Sequence, residues 1–220
     1  MADIDNDEDE KVCKIVLIGE SGVGKTCIIS RYINNTFEDN TMSTTGASYA
    51  GKSIKLDNGK VLRFEIWDTA GQEKYRSLTK IFYKEASIAI LVYDITNRES
   101  FEEIKNYWYG QIKQNGPKNC IIGLAGNKSD LFESETVKED EAREYAKEIG
   151  AIFKLTSANT SAGIEELFKE LGGKFYDPNF IPNPSAGTPQ KQIDQDQKGD
   201  NVVKLDAKKV AKNEKKKKCC

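Results

Sequence analysis

The predicted fold follows first from residues 19–26, Gly19-Glu20-Ser21-Gly22-Val23-Gly24-Lys25-Thr26. It fits the pattern G-x-x-x-x-G-K-[ST] and lies between an apolar run that predicts a buried strand, residues 11–18, and a predicted helix, residues 25–34. Glycines let the backbone N–H groups of such a loop point at phosphate oxygens, and the helix N-terminus adds partial positive charge. We therefore predict a phosphate-binding loop in which Lys25 reaches the phosphates and the Thr26 hydroxyl is a ligand for Mg²⁺.

Outward from this loop, predicted strands and helices alternate along the chain. The strands are predicted at residues 11–18, 47–56, 60–67, 87–93, 120–126 and 151–156, and the helices at residues 25–34, 100–114, 139–149 and 162–176. Asn58-Gly59 predicts a tight antiparallel hairpin, and Ser100 with Glu103 predicts a capping box. The expected fold class is α/β, a six-stranded and mostly parallel sheet with one antiparallel edge hairpin and helices on both faces.

The composition excludes several kinds of chemistry. The chain contains no histidine, which excludes Ser-His-Asp and Cys-His catalysis and histidine-ligated metal sites. Its formal net charge of -2 argues against broad nucleic-acid binding. Cys13, Cys27 and Cys120 stand singly among apolar residues, as expected of buried thiols in a reducing compartment. No apolar run approaches the roughly 20 residues that a membrane-spanning helix needs.

We predict a monomer with one domain between two disordered segments. Residues 1–10 form an acidic leader without the basic start and apolar segment of a signal peptide. Residues 11–176 form the domain. Residues 177–220 have few large apolar side chains and cannot offset the entropy of ordering, so we expect a linker, which ends in four lysines and the pair Cys219-Cys220.

A second motif, Asn127-Lys128-Ser129-Asp130, follows the predicted strand 120–126 and indicates guanine. A carboxylate at Asp130 accepts two parallel hydrogen bonds from guanine N1–H and N2–H, whereas adenine presents an acceptor at N1. Asn127 is expected to reach the base edge, and the aliphatic stem of Lys128 to cover the ring. After the next strand, Ser157-Ala158-Asn159 offers the Ala158 N–H to guanine O6.

A third motif, Trp67-Asp68-Thr69-Ala70-Gly71-Gln72-Glu73, carries candidate groups for phosphoryl transfer. Asp68 is expected to anchor Mg²⁺ through a water molecule, and the Gly71 N–H to contact the γ-phosphate. Gln72 is expected to orient the attacking water. Thr44, in the polar loop of residues 36–46, is the candidate second protein ligand for Mg²⁺.

With these motifs in order, residues 11–176 resemble the Ras-like small GTPases and, within them, the Rab branch. The stretches that carry the Rab likeness are Thr44–Tyr49, Arg63–Trp67, Trp67–Tyr75, Phe82–Ala86 and Leu91–Thr96. The resemblance implies the P-loop NTPase fold of a Ras-like G domain that binds GTP or GDP with Mg²⁺. It also implies that residues 36–46 and 68–80 are two switches, which the γ-phosphate orders and hydrolysis releases.

The resemblance assigns roles to individual positions. Phe37 falls where the family places an aromatic ring against guanine, and catalysis is implied for Gln72, Lys25 and Gly71. The implied metal ligands are Thr26, Thr44 and, through water, Asp68. The implied nucleotide-binding residues are Ser21, Gly22, Val23, Gly24, Lys25, Thr26, Cys27, Phe37, Thr44, Gly71, Asn127, Lys128, Asp130, Ser157, Ala158 and Asn159.

The resemblance also implies partners. These are a GTPase-activating protein, a guanine nucleotide exchange factor, a GDP-dissociation inhibitor or escort protein, and effectors that read the switches. The candidate effector contacts are Tyr49, Phe64, Trp67, Tyr75 and Tyr83, with ordinary packing as the alternative, since neighbours on a strand alternate faces. The loop Gly19–Thr26 contains no arginine, so we expect slow hydrolysis until an activating protein supplies one.

Three positions depart from the family pattern. Thr45 stands where isoleucine is usual, which bears on the choice of effector. Asn159 replaces the usual lysine after Ser-Ala, although a backbone contact from Ala158 should survive this change. Ser21 stands where Ras itself has glycine, a position at which Rab-like chains vary.

The terminal Cys219 and Cys220 resemble the doubly geranylgeranylated end of Rab proteins. Two lipids are physically reasonable because one chain gives only marginal, reversible binding, and each preceding lysine adds about 1 kcal/mol near an anionic leaflet. The implied location alternates between the cytosol and the cytosolic face of a vesicle or endosome membrane. The alternative is a solvated charge run that ends in two ordinary thiols.

Two other functions stay open at this point. One is a GTP-bound scaffold with negligible hydrolysis, against which the intact Gln72 argues. The other is a P-loop kinase that acts on a small molecule, which the motif Asn127–Asp130 disfavours.

Overall fold

The fold is described from a computed structural model, over residues 11–38, 44, 48–56, 58–69 and 82–181. Its strands are β1 (Lys11–Ile18), β2 (Ser48–Lys55), β3 (Val61–Asp68), β4 (Ile88–Asp94), β5 (Ile121–Asn127) and β6 (Ile152–Leu155). They form one sheet in the order β2-β3-β1-β4-β5-β6. Only β2 and β3 pair antiparallel, at the edge of the sheet, which confirms the predicted topology.

Helices cover the sheet on two sides. They are α1 (Lys25–Asn34), α2 (Arg98–Glu103), a π-helix (Ile104–Trp108), α3 (Tyr109–Asn115), a 3₁₀ helix (Ser129–Ser134), α4 (Glu139–Ile149) and α5 (Ile164–Tyr176). One apolar cluster joins α1 and α5 to the sheet, where the rings of Tyr32 and Phe168 stack at 3.8 Å. A second cluster contains Phe101, Trp108 and Ala142 from the other helices. Every residue of β4 is buried, as expected for a central strand covered on both faces.

The topology brings the candidate motifs to one end of the sheet. Strands β1, β4, β5 and β6 run parallel, so their carboxyl ends meet at the same edge. The phosphate-binding loop follows β1, and the two base motifs follow β5 and β6. Ligands of open α/β sheets bind at this edge. The fold therefore places the phosphate-binding loop and the two base motifs where a nucleotide is expected.

The predicted start of the helix after β4 is wrong. The helix begins at Arg98, and its N-cap is Asn97, whose side-chain oxygen accepts a hydrogen bond from Ser100 N at 3.4 Å. Ser100 lies inside the first turn, where its hydroxyl contacts Asn97 O and Asp94 N instead of capping. Asparagine is as good an N-cap as serine, and here it lies three residues earlier.

The other predicted helices and turns agree with the structure, except that α5 begins at Ile164, two residues later than predicted. Helix α4 spans the predicted residues and ends at Gly150, whose φ of 69° is the left-handed conformation that glycine favours at this position. In the β2–β3 turn, Gly59 has a φ of 84°, a left-handed conformation that glycine adopts readily.

Beyond α5 the chain turns back, because Phe180 N donates to Asp177 O and the Phe180 ring packs over Gly173. Within the described residues, no helix is both long and apolar enough to cross a membrane.

Candidate nucleotide and magnesium site

The phosphate-binding loop depends on two glycines that no other residue can replace without movement. Gly19 has a φ of 147°, and a Cβ there would lie 2.2 Å from the backbone oxygen of Val92. Gly24 has a φ of 93°, and its Cβ would lie 2.3 Å from Nδ2 of Asn127. A carbon atom does not approach an oxygen or nitrogen atom this closely without a bond between them. The loop therefore packs directly against β4 and the base motif.

Lys25 holds a buried positive charge at the start of α1. Its side-chain nitrogen donates to the carbonyl oxygens of Gly19 at 2.9 Å and Glu20 at 2.8 Å. An ammonium group has three N–H donors, one more than these two carbonyls use. Burial lowers the pKa of Lys25 to about 8, although the negative charges of Asp68 and Glu20 act in the opposite direction.

Three oxygen-bearing side chains meet beside Lys25. The Thr26 hydroxyl donates to Asp68 Oδ2 at 2.6 Å, and it lies 2.9 Å from the hydroxyl oxygen of Thr44. Asp68 is the last residue of β3, and Thr44 comes from the loop before β2. Burial raises the pKa of Asp68, and the hydrogen bond from Thr26, the charge of Lys25 and the hydrogen bond from Thr44 offset this only in part. Residues that are far apart in sequence thus form one cluster of hard oxygens.

This cluster fits a magnesium ion. Hydroxyl and carboxylate oxygens are the ligands that Mg²⁺ prefers. Asp68 Oδ1 is buried and has no hydrogen-bond partner among the residues that the structure describes, so it is an acceptor ready for a water molecule of the ion. Within the same part of the chain, no three cysteine or acidic side chains group together as an alternative metal site.

The base motif centres on the Asp130 carboxylate. Its Oδ1 accepts a hydrogen bond from the Ser157 hydroxyl at 2.5 Å, and its Oδ2 accepts one from the Asn159 amide at 3.2 Å. Partial burial acts to raise the pKa of Asp130, but hydrogen bonds from Ser157 and Asn159 favour the ionised form and hold the pKa below its usual value. The group is therefore an ionised acceptor at neutral pH.

Two neighbours of Asp130 tie the base motif to the rest of the site. Asn127 is almost fully buried, and its amide nitrogen donates to Val23 O in the phosphate-binding loop at 2.8 Å. Lys128 has a φ of 63°, and its side-chain nitrogen lies 2.6 Å from Asp94 Oδ2 at the end of β4. The ammonium end of Lys128 is thereby held at the end of β4.

Comparison with known proteins identifies the family that shares this arrangement. The chain matches the family model described as Ras family over residues 14–177. It is 41% identical to the human Ras-related protein Rab-22A over 176 residues, which are 80% of this chain and 87% of the relative. It is 42% identical to the mouse Ras-related protein Rab-31 over 158 residues, which are 72% of this chain and 80% of the relative.

The chain is a Rab GTPase of the Ras family. A Rab GTPase binds GTP and GDP with Mg²⁺, hydrolyses GTP, and acts as a molecular switch in the regulation of vesicle traffic. Its partners are GTPase-activating proteins, exchange factors, GDP-dissociation inhibitors and effectors. The activity of the family favours neither the non-hydrolysing scaffold nor the small-molecule kinase.

Several positions of the predicted Rab site lie outside the described residues: Thr45, Gly71, Gln72, Tyr75, Cys219 and Cys220. Of the others, Phe37 and Cys27 are half-buried and pack against the apolar cluster that also contains Val23 and Ala158. Ser21 and Gly22 are exposed in the loop. The described site therefore holds the phosphate, metal and base motifs but not the residues assigned to the attacking water.

Two of the predicted effector contacts in this Rab GTPase are wrong. Phe64 and Tyr83 are at most 1% exposed and belong to the core. Phe64 follows the alternation of β3, in which residues 62, 64 and 66 point into the core and residues 61, 63, 65 and 67 do not. Tyr49 is 48% exposed, and its ring meets the half-buried Trp67 edge-on at 5.4 Å, so this pair remains the candidate.

One residue of the site, Arg31, carries no recognisable signal in the sequence. Arg31 on α1 donates through Nε to Ala158 O at 2.8 Å and through Nη2 to Asn159 O at 2.9 Å. These hydrogen bonds hold the loop after β6 against α1, although Arg31 and Ala158 are 127 positions apart in the sequence. An arginine on an amphipathic helix normally indicates an exposed face, and only the fold brings it to the base motif.

Proposed function

We propose that GTP and Mg²⁺ bind between the phosphate-binding loop, Asp68 and the loops that follow β5 and β6. The residues proposed to hold the nucleotide are Ser21, Gly22, Val23, Gly24, Lys25, Thr26, Cys27, Phe37, Thr44, Gly71, Asn127, Lys128, Asp130, Ser157, Ala158 and Asn159. The observation that carries the proposal is the oxygen cluster of Thr26, Thr44 and Asp68 beside the buried charge of Lys25.

Each residue of this cluster has a distinct task in the proposal. Lys25 places a positive charge beside the β- and γ-phosphates, and the loop around it supplies backbone N–H donors. Thr26 and Thr44 offer hydroxyl oxygens to the metal, and Asp68 accepts from a water molecule that the metal holds. When bound, Mg²⁺ neutralises negative charge on the phosphates.

Hydrolysis in this proposal depends on Gln72, which orients the attacking water, and on the Gly71 N–H, which contacts the γ-phosphate. Phosphoryl transfer needs positioning and charge stabilisation rather than a covalent nucleophile, so a chain without histidine loses nothing. Loss of the γ-phosphate removes the contacts that order residues 36–46 and 68–80, and the effector surface changes.

Removing one metal ligand tests the magnesium site. In the wild-type protein, we expect chelation by EDTA to accelerate release of a fluorescent GDP analogue by at least about tenfold, which corresponds to about 1.4 kcal/mol of the barrier to release. In Thr26→Ala, release should already be fast and EDTA should change it little. Thr136→Ala, which removes a hydroxyl that donates to Ile95 O and to none of the cluster residues, should behave as the wild type. An unchanged EDTA effect in Thr26→Ala would contradict the assignment.

We also propose a membrane anchor at the end of the chain. In this proposal residues 11–176 are the GTP-binding domain, residues 1–10 an acidic leader, and residues 177–220 a tail whose Cys219 and Cys220 are geranylgeranylated. Two lipids give stable anchoring where one does not, and Lys215–Lys218 add attraction to an anionic leaflet. The membrane proposed is the cytosolic face of a vesicle or endosome, because the switches and tail resemble several groups of Rab proteins, the endosomal ones among them.

Mass spectrometry of the protein from its native cell tests this anchor. We expect two isoprenoid additions on the terminal peptide and recovery of the protein with vesicle or endosome membranes. Cys219→Ser with Cys220→Ser should move the protein to the soluble fraction while GDP affinity stays unchanged, because the domain is not altered. Unmodified thiols on membrane-bound protein would show that another feature provides the anchor.

A further inference from the structure

The helical segment after β4 contains a wide turn at its centre. Between α2 and α3, the N–H of Tyr109 donates to the carbonyl oxygen of Ile104, five residues earlier. The residues that flank this π-turn keep right-handed helical dihedrals, so the helix continues through it. Such turns accommodate one extra residue in an α-helix and occur frequently at functional sites.

The π-turn ends at Trp108, which joins the helix to the phosphate-binding loop. The Trp108 side chain is 1% exposed and packs in the same apolar cluster as Phe101 and Ile112. Its indole Nε1–H donates to Glu20 Oε1 at 2.9 Å. A buried indole N–H needs a partner, and a hydrogen bond to a charged acceptor is stronger than one between neutral groups.

Glu20 in turn contacts Lys25 through its backbone. Glu20 is the second residue of the loop, and its carbonyl oxygen accepts from the Lys25 ammonium group at 2.8 Å. The position of the Glu20 backbone therefore helps to determine where the ammonium group lies. A continuous path runs from the π-turn through the Trp108 indole and Glu20 to the charge proposed to hold the phosphates.

We propose that Trp108 is a positioning residue for nucleotide binding, which it supports by fixing Glu20 and, through it, the first half of the phosphate-binding loop. The proposal rests on the nucleotide site proposed above. Donors and charges that are already in place bind a ligand without a cost of rearrangement. The helix after β4 thus contributes to slow release of a nucleoside diphosphate, although it does not touch the nucleotide.

Release of a fluorescent GDP analogue tests this role. Trp108→Phe retains most of the apolar volume but removes the N–H donor, and Glu20→Ala removes the acceptor. We expect each variant to release GDP about three- to tenfold faster, as expected from loss of one hydrogen bond to a charged group. Adding Trp108→Phe to Glu20→Ala should change release no further, because the acceptor of the indole hydrogen bond is already lost. Ile112→Val, which trims a buried residue one turn further along the same helix, controls for loss of packing.

Hydrogen–deuterium exchange of the peptide that covers residues 19–25 provides a readout without nucleotide. Exchange there should be faster in Trp108→Phe than in the wild type and unchanged in Ile112→Val. The proposal is overturned if Trp108→Phe changes GDP release and exchange no more than Ile112→Val does, or if the effects of the two single variants add. A wild-type protein that failed to bind GDP would contradict the nucleotide site, while the exchange comparison would still decide the role of Trp108.

Discussion

At the base end of the site, two side chains hold the Asp130 carboxylate, and each takes one of its oxygens. Ser157 and Asn159 act as donors, and an ionised carboxylate has enough lone pairs to accept further hydrogen bonds from guanine. Asn159, one of the three residues that depart from the family pattern, thus contacts the carboxylate itself.

Asp130→Asn is expected to abolish the preference for guanine. The amide would present an N–H donor to one guanine N–H group and a neutral oxygen to the other, so that neither hydrogen bond to a charged group remains, each worth about 1.5–3 kcal/mol. GTP affinity should fall by at least about 100-fold in competition titrations against the fluorescent analogue. Xanthosine triphosphate, which has an oxygen at position 2, should gain affinity.

Asn159→Ala is the matched control for this prediction. It removes one donor to the carboxylate but leaves the charge, so its effect on GTP affinity should be much smaller than that of Asp130→Asn. Equal affinities of the wild type and Asp130→Asn for GTP would show that Asp130 does not read the base.

At the scale of elements, sequence patterns predicted the strands well because their signals are local. A buried apolar run predicted β4, and Asn58-Gly59 predicted the hairpin, since each signal lies within the element it describes. The N-cap at Asn97 was missed because two polar residues three positions apart satisfy the same rule. The π-turn at Ile104–Trp108 was missed because its buried residues keep a spacing that an ordinary α-helix also shows.

Gly24 belongs to the phosphate-binding loop and packs against Asn127 at the end of β5. In Gly24→Ala, the unfavourable φ of a non-glycine residue destabilises the fold by about 1–2 kcal/mol, and the new Cβ also displaces the Asn127 amide. We therefore expect a lower melting temperature together with a loss of nucleotide affinity of at least about tenfold.

Gly59→Ala provides the comparison, because Gly59 has a similar φ of 84° and no described atom within 4 Å of the added Cβ. It should lower the melting temperature by the backbone strain alone and leave GDP affinity unchanged. If Gly24→Ala also left GDP affinity unchanged, the close approach of the loop to Asn127 would not matter for binding.

At the scale of the whole molecule, the alternation of strands and helices was enough to predict the sheet and the edge at which the motifs meet. The contacts between motifs were not predictable. The bonds from Asn127 to Val23, Lys128 to Asp94 and Arg31 to Ala158 join residues from 34 to 127 positions apart, and no local pattern in the sequence marks them. These contacts hold the phosphate-binding loop and the loops after β5 and β6 together as one site.

Single-turnover hydrolysis tests most directly whether this site hydrolyses GTP. The wild-type protein loaded with GTP and Mg²⁺ should produce GDP slowly. Gln72→Leu should slow the step by about 10- to 100-fold, or about 1.4–2.7 kcal/mol of barrier. Gln114→Leu, which changes an exposed glutamine on α3, should leave the rate unaltered. Equal rates for the wild type and Gln72→Leu would contradict the proposed switch.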